Sequence, residues 1–194
     1  MYHINWKKDI LTIPNLLSLF RLLLIPVYIV IYLNARETYE YLLSGAILAV
    51  SCLTDLIDGK IARRFHMISN LGKLLDPFAD KLTQFALTVC LSTKYPVLLP
   101  VLILFVVKES FQLIAMAVNL KRGKALEGAL LSGKICTTVL FLSLITLVLL
   151  PFLSARIVSV IAIIDTCFLT NAFLSYILAY FGKHKKIQDF DPER

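Results

Sequence analysis

Long apolar stretches alternate along the chain with short polar segments, and prolines or charged residues separate one stretch from the next. A helix needs roughly 20 mostly apolar residues to cross a bilayer, and each stretch is close to that length. The pattern therefore predicts about six transmembrane helices. They cover residues 14–33, 39–63, 76–94, 96–120, 134–149 and 156–181.

The start of the third predicted helix has a clear local signal. Asp76 belongs to the residue types that cap helix N-termini, and Pro77 to the type favoured at the first helical position. We therefore expect this helix to begin at the pair.

The first twelve residues carry a shorter amphipathic pattern. Tyr2, Trp6 and Ile10 recur every four residues, whereas Lys7 and Lys8 lie off that stripe. Helices of this kind lie in the plane of the membrane interface. The sequence predicts such an interfacial helix over residues 1–12.

Composition agrees with a membrane location, because 58% of the 194 residues are apolar and the mean hydropathy is +0.79. Six spans use most of such a chain and leave only short loops. We therefore expect an all-α membrane protein with a single domain over residues 1–194. The cysteines lie in apolar segments without metal-site spacing, which favours buried, reduced thiols. They are Cys52, Cys90, Cys136 and Cys167.

The net charge of +7 does not indicate nucleic-acid binding, because Lys and Arg form short clusters between the apolar stretches. The two terminal segments and the loops after the second and fourth spans hold thirteen of the 20 Lys and Arg residues. The opposite loops hold three. By the positive-inside rule, both termini and the loop after the second span face the cytoplasm. The sequence predicts a multi-pass protein of the inner membrane.

Four aspartates lie where the second and third predicted helices meet the membrane surface. Asp55 and Asp58 are three residues apart, and Asp76 and Asp80 are four apart, so each pair shares a helix face. Single aspartates at helix ends are usually caps or solvated charges, but four carboxylates beside a bilayer require a cation. Ligands that are all oxygen favour Mg²⁺ or Mn²⁺, and four carboxylates suit two ions. Because Mg²⁺ usually shares its coordination with substrate phosphates, we expect a phosphate-bearing substrate.

The residues after Asp58 fit such a substrate. Gly59 has no side chain, so a bulky ligand can approach the helix backbone closely. Ala62 is small, and Arg63 offers a planar guanidinium for phosphate oxygens.

Together these residues resemble the signature of the CDP-alcohol phosphotransferase family, which is D-x2-D-G-x2-A-R, a spacer, and G-x3-D-x3-D. The six-span layout with short loops is also similar to that family. The eight fixed positions of the signature are Asp55, Asp58, Gly59, Ala62, Arg63, Gly72, Asp76 and Asp80.

The resemblance implies transfer of a phosphatidyl group from CDP-diacylglycerol to an alcohol, with release of CMP, by a homodimer. It implies that Asp55, Asp58 and Asp76 bind the metals and that Asp80 is a ligand, the general base, or both. Asp76 and Asp80 are then the catalytic residues. The residues implied to bind the CDP donor are Asp55, Gly59, Ala62, Arg63 and Gly72.

Two further segments, over residues 14–21 and 74–81, resemble the phosphatidylglycerophosphate synthase branch of that family. The acceptor that this implies is sn-glycerol 3-phosphate. We expect its phosphate to be bound by Lys134, Lys81 and Lys108.

The same branch usually has Arg-Glu in the fourth span and G-K-x-K-T at the start of the fifth. This chain has Lys108 in place of the arginine and Cys136 in place of the second lysine. The two departures keep open cardiolipin synthesis, with phosphatidylglycerol as the acceptor, as an alternative.

Charged and polar residues inside the spans leave other questions open. Arg21 either contacts the donor phosphates or pairs with Asp165 or Glu109, and we expect Asp165 to be a structural partner. Asn15 and Ser18 either belong to the helix start or contact the nucleotide.

An ion-coupled transporter is the alternative from another class, since buried charges in several spans could form an ion path. Transporters commonly have inverted repeats and broken helices, and the sequence has neither pattern. The surface position of the four aspartates also favours catalysis.

Overall fold

The structure is a computed structural model that describes the backbone of residues 13–64, 72–121, 124–126, 130–181 and 187–189. Within these ranges the side chains are described except at residues 13–14, 52, 55–64, 72–76, 120, 124–126 and 187–189. The predicted interfacial helix over residues 1–12 lies outside the described part.

Helices dominate the described chain, as the sequence predicts. Six α-helices and one short 3₁₀ helix lie within the ranges above, and each of the six predicted spans corresponds to one α-helix. They are α1 (Ile13–Asn34), α2 (Thr38–Arg64), α3 (Gly72–Lys94), the 3₁₀ helix (Pro96–Leu98), α4 (Leu99–Lys121), α5 (Leu131–Leu149) and α6 (Ala155–Phe181).

The expected start of the third helix is wrong. The helix begins at Gly72, so Asp76 and Pro77 lie inside α3 rather than at its N-terminus. Pro77 is the sixth residue of α3, where its missing N–H removes the hydrogen bond to the carbonyl of residue 73 in the first turn. Both carboxylates of the second aspartate pair therefore belong to one continuous helix.

Four stretches are long and apolar enough to cross a membrane by length and composition: Asn15–Asn34, Pro96–Asn119, Leu131–Leu149 and Ala155–Phe181. They confirm a membrane protein with several spanning helices. Among the residues described, α2 and α3 do not meet the same standard, although they are 27 and 23 residues long. The number of six spans stays a prediction.

The chain divides into two compact units. Unit 1 comprises Met1–Thr93 and Ile145–Phe152, and unit 2 comprises Lys94–Leu144 and Leu153–Arg194. Each is described by itself below, and the single domain over residues 1–194 stays a prediction.

In unit 1, α1 packs on α2 through one stripe of buried side chains. The Tyr32 ring meets the Tyr41 ring edge-on, with centroids 5.2 Å apart. Gly45 of α2 faces Val148 and Leu149, where an added Cβ would lie 3.1 Å from Cδ2 of Leu149. The stripe on α1 consists of Asn15, Ser18, Arg21, Ile25, Tyr28 and Tyr32.

In unit 2, α4 packs on α6, and aromatic rings line their contact. The Phe111 ring lies 5.3 Å from that of Phe173, 6.4 Å from that of Tyr180 and 6.2 Å from that of Phe181, measured between centroids. Such ring pairs add stability beyond the area that they bury.

Unit 2 also contains two short antiparallel strands, β1 (Lys124–Leu126) and β2 (Ile187–Asp189). Ala125 lies opposite Gln188 in the register. This pairing was not predicted, because three residues are too few to show the alternation that identifies a strand. The other regular elements of the described chain are all helices, so the predicted all-α class is confirmed.

None of the three cysteines whose side chains are described forms a disulfide. Cys90 and Cys136 are buried as expected, whereas Cys167 is exposed, so its predicted burial is wrong. Its position on the outer side of an apolar helix accounts for the exposure.

Candidate active site

The signature aspartates lie on the two helices that the sequence assigns to them. Asp55 and Asp58 belong to the last three turns of α2, and Asp76 and Asp80 to the first three turns of α3. Since both segments are helical, the two positions within each pair are about one turn apart on a common face. Asp80 is the member of the four whose side chain is described. The other signature positions, Asp55, Asp58, Gly59, Ala62, Arg63, Gly72 and Asp76, have side chains outside the described part.

Asp80 accepts a charged hydrogen bond from Arg21. The distance from Nη1 of Arg21 to Oδ1 of Asp80 is 2.7 Å. The Asp80 side chain is 51% exposed and the Arg21 side chain 3% exposed. The contact joins α1 to α3 across 59 positions of sequence, within unit 1.

The sequence explains why Arg21 needs this partner. It is the single charged residue among the 22 of α1, and it lies on the buried stripe of that helix. An unpaired guanidinium in such surroundings costs several kcal/mol, and a carboxylate at hydrogen-bond distance offsets much of that.

The pairing of Arg21 with Asp80 was not among the partners expected from the sequence. The two expected partners of Arg21 have other donors. Glu109 accepts a hydrogen bond from Nζ of Lys108 at 2.7 Å, and Asp165 accepts one from Oγ of Ser143 at 2.9 Å. Asp165 therefore has the structural contact that we expected. Residues 14–21 end in Arg21 and residues 74–81 contain Asp80, but nothing in a linear pattern joins these two positions.

The three lysines proposed for the acceptor differ in exposure. Lys81 follows Asp80 in α3 and is half-buried, and Lys134 is exposed in the first turn of α5. Lys108 is buried in α4, with Nζ bonded to Glu109 and lying 5.4 Å from the centroid of the Tyr176 ring. The Lys108 ammonium is thus already engaged by a carboxylate and an aromatic face.

Gly133, the residue before Lys134, packs closely against Tyr176. A Cβ on Gly133 would lie 2.6 Å from the Tyr176 hydroxyl oxygen, closer than any such contact found in proteins. The amide N–H of Lys134 donates to the carbonyl of Leu130 at 3.1 Å, which closes the first turn of α5. The start of α5 therefore packs closely on α6 at Gly133, where a larger residue would require the Tyr176 side chain to shift.

The structure describes part of the predicted metal site. Among the described side chains, no group of three or more His, Cys, Asp or Glu residues could hold a metal ion. Of the four predicted ligands, Asp80 has a described side chain, and the other three lie outside that set. The predicted set is four carboxylates, and this chemistry fits Mg²⁺ or Mn²⁺.

Comparison with known proteins adds independent support for the signature. A family model described as CDP-alcohol phosphatidyltransferase matches residues 11–172, which include both aspartate pairs. Such a family is generally dependent on divalent metals.

Individual relatives are of two kinds. A cardiolipin synthase (CMP-forming) of Streptomyces coelicolor is 34% identical over 118 residues, which are 59% of this chain and 54% of the relative. A CDP-diacylglycerol--glycerol-3-phosphate 3-phosphatidyltransferase of Pseudomonas fluorescens is 38% identical over 72 residues, 37% of this chain and 36% of the relative.

A third relative, from Schizosaccharomyces pombe, is a cardiolipin synthase (CMP-forming) / mitochondrial hydrolase fusion protein. It is 39% identical over 89 residues, 45% of this chain and 14% of the relative. The chain thus spans about half or less of the length of these curated relatives.

Proposed function

The chain belongs to the CDP-alcohol phosphatidyltransferase family, and from this premise we propose that it transfers a phosphatidyl group from CDP-diacylglycerol to an alcohol, with release of CMP. The observation that carries the proposal is the eight-position signature on two consecutive helices, α2 and α3. Four carboxylates at these spacings suit a reaction in which phosphate charge must be neutralised.

The donor half of the site is proposed to lie on the signature. Asp55, Asp58, Asp76 and Asp80 would hold two divalent ions, Mg²⁺ or Mn²⁺. When bound, such ions neutralise the pyrophosphate of the donor and the charge that develops on the departing CMP. The residues proposed to contact the CDP part are Asp55, Gly59, Ala62, Arg63 and Gly72.

Asp76 and Asp80 are the proposed catalytic residues. The alcohol oxygen forms the new bond to phosphorus while the bond from phosphorus to CMP breaks. The Asp80 carboxylate accepts the proton that the alcohol loses. The half-exposed position of Asp80 supports this role, since a base must be reachable from the acceptor side.

The acceptor is proposed to be sn-glycerol 3-phosphate, which gives phosphatidylglycerophosphate. Its support is the match to relatives named for that reaction and the exposed Lys134 at the start of α5. Lys81 and Lys108 are the further candidates for its phosphate, and the bond of Lys108 to Glu109 makes Lys134 a stronger candidate than Lys108.

Cardiolipin synthesis from phosphatidylglycerol is the second candidate. It is favoured by the relatives named cardiolipin synthase and by Cys136, which stands where the phosphatidylglycerophosphate synthase branch has a second lysine. We further propose that the protein is a homodimer in the inner membrane, with the signature and both termini on the cytoplasmic side.

One experiment separates these activities. The purified protein in detergent–lipid micelles is given CDP-diacylglycerol and Mg²⁺ or Mn²⁺ with one acceptor at a time: glycerol 3-phosphate, phosphatidylglycerol, serine or inositol phosphate. CMP release and the identity of the new lipid are measured. A product with glycerol 3-phosphate supports the leading proposal, a product with phosphatidylglycerol alone supports the second, and no CMP release with any acceptor contradicts the activity.

A matched pair of variants ties the activity to the site. Asp80→Asn should abolish CMP release in a folded protein, because an amide cannot accept the proton. Glu37→Gln is the control, since Glu37 is an exposed acidic residue between α1 and α2. Near-normal turnover by the Asp80 variant would contradict the proposed role, and ion flux in liposomes without CMP release would favour the transporter.

A further inference from the structure

The two members of the Arg21–Asp80 ion pair differ sharply in exposure. The Arg21 side chain is 3% exposed and the Asp80 side chain 51% exposed. A buried side chain is fixed by the groups packed around it, whereas a half-exposed carboxylate can change its rotamer in solvent. The bond therefore imposes the orientation of the guanidinium on the carboxylate, and not the reverse.

Arg21 is well suited to hold such an orientation. Ser18 and Ile25, one turn before and after it on α1, are also buried, so its stem lies in a packed stripe.

The backbone beside Asp80 is held as well. Ala79 is completely buried, and the Thr83 hydroxyl donates to the Ala79 carbonyl at 2.8 Å. With the preceding residue packed into unit 1, the remaining freedom of Asp80 is the rotation of its own side chain. The 2.7 Å bond from Arg21 restricts that rotation.

We propose that Arg21 is a positioning residue, which holds Oδ1 of Asp80 so that the carboxylate keeps the orientation that phosphatidyl transfer requires. The inference rests on the proposed function, in which Asp80 takes part in the reaction. Arg21 acts through Asp80, and this distinguishes it from an arginine that grips the phosphates of the donor.

The kinetic test uses Arg21→Met, Arg21→Lys and the control Arg156→Met, which removes an exposed arginine from the start of α6. In Arg21→Met we expect kcat to fall about 100-fold, as for a misplaced catalytic group. The KM for CDP-diacylglycerol and for the acceptor should stay within about threefold, because no substrate contact is lost. Arg21→Lys should recover part of kcat, since an ammonium can reach the same oxygen but lacks the planar fork.

Two kinetic outcomes would overturn the inference in an enzyme that is otherwise active. A large rise in the KM for CDP-diacylglycerol would assign Arg21 to the donor phosphates. An unchanged kcat in Arg21→Met would remove any role in the reaction. If the wild-type protein released no CMP with any acceptor, the proposed function would fail and the positioning role with it.

Thermal unfolding in detergent gives a readout that does not need turnover. Asp80→Asn removes a charged hydrogen bond from a buried guanidinium, so it should lower the unfolding temperature more than the double variant Arg21→Met/Asp80→Asn does. Additive effects of the two substitutions would show that the residues are not coupled, and the inference would fall.

Discussion

The hydroxyl of Ser143 in α5 donates a hydrogen bond to Oδ1 of Asp165 in α6, at 2.9 Å. Asp165 is 1% exposed and lies within a 27-residue apolar helix. Within the part of the chain that the structure describes, its second oxygen, Oδ2, is buried without a hydrogen-bond partner. The bond from Ser143 is therefore an important link between α5 and α6 within unit 2.

Removal of that donor should weaken the protein. We expect Ser143→Ala to lower the free energy of unfolding by roughly 1 kcal/mol, since the buried carboxyl loses a hydrogen bond inside a membrane helix pair. The free energy is measured by unfolding in mixed detergent. Ser159→Ala is the control, because the Ser159 hydroxyl bonds only the backbone carbonyl of Ala155 among its described contacts.

Ser143→Ala in an Asp165→Leu background tests whether Ser143 acts through its bond to Asp165. There Ser143→Ala should have almost no effect, since both polar groups of the pair are gone. An equal loss in both backgrounds would mean that Ser143 stabilises the protein through another contact.

Gly133→Ala should destabilise unit 2, because the added methyl group would meet the Tyr176 hydroxyl oxygen at 2.6 Å and ring atoms at 3.0 Å and 3.1 Å. Overpacking of this kind costs about 1–3 kcal/mol, more than alanine gains over glycine in a helix. Unfolding in detergent measures the loss. Gly45→Ala is the matched control, since it meets the flexible end of Leu149 at 3.1 Å and should be nearly neutral. Tyr176→Phe should partly rescue Gly133→Ala, and failure to do so would contradict the contact.

Removal of divalent metal should stop the reaction. We expect EDTA to abolish CMP release and Mg²⁺ or Mn²⁺ to restore it, because the proposed ligands are carboxylates that favour such ions. Asp76→Asn should need a higher metal concentration for half-maximal activity, or lose activity altogether. Full activity in EDTA would contradict the metal site while leaving the family membership intact.

Lys134 should govern affinity for the acceptor. Loss of a charged hydrogen bond to phosphate weakens binding by about 1.5–3 kcal/mol, which corresponds to a rise of about 10–100-fold in the KM for glycerol 3-phosphate. Steady-state kinetics of Lys134→Met measure this, with the KM for CDP-diacylglycerol unchanged. Lys94→Met, on the predicted opposite side of the membrane, is the control. An unchanged acceptor KM would remove Lys134 from the site and weaken the case for glycerol 3-phosphate.

The sequence by itself determined the helical elements and the eight-position signature. The apolar stretches predict the helices, because a bilayer leaves the backbone few other ways to satisfy its hydrogen bonds. Among the described residues, four of these stretches are long and apolar enough to span a membrane. The spacing of Asp55 and Asp58, and of Asp76 and Asp80, set the signature, because three and four residues are one helical turn. Neither inference needs distant parts of the chain to be placed in space.

Tertiary structure decided which distant side chains meet. The bond of Arg21 to Asp80 spans 59 positions, and the contact of Gly133 with Tyr176 also joins different helices. Hydropathy gives no information on which face of one helix meets which face of another, since the packing of side chains determines it. For that reason the sequence could name Arg21 as a buried charge in need of a partner, but only the packed helices identify that partner as Asp80.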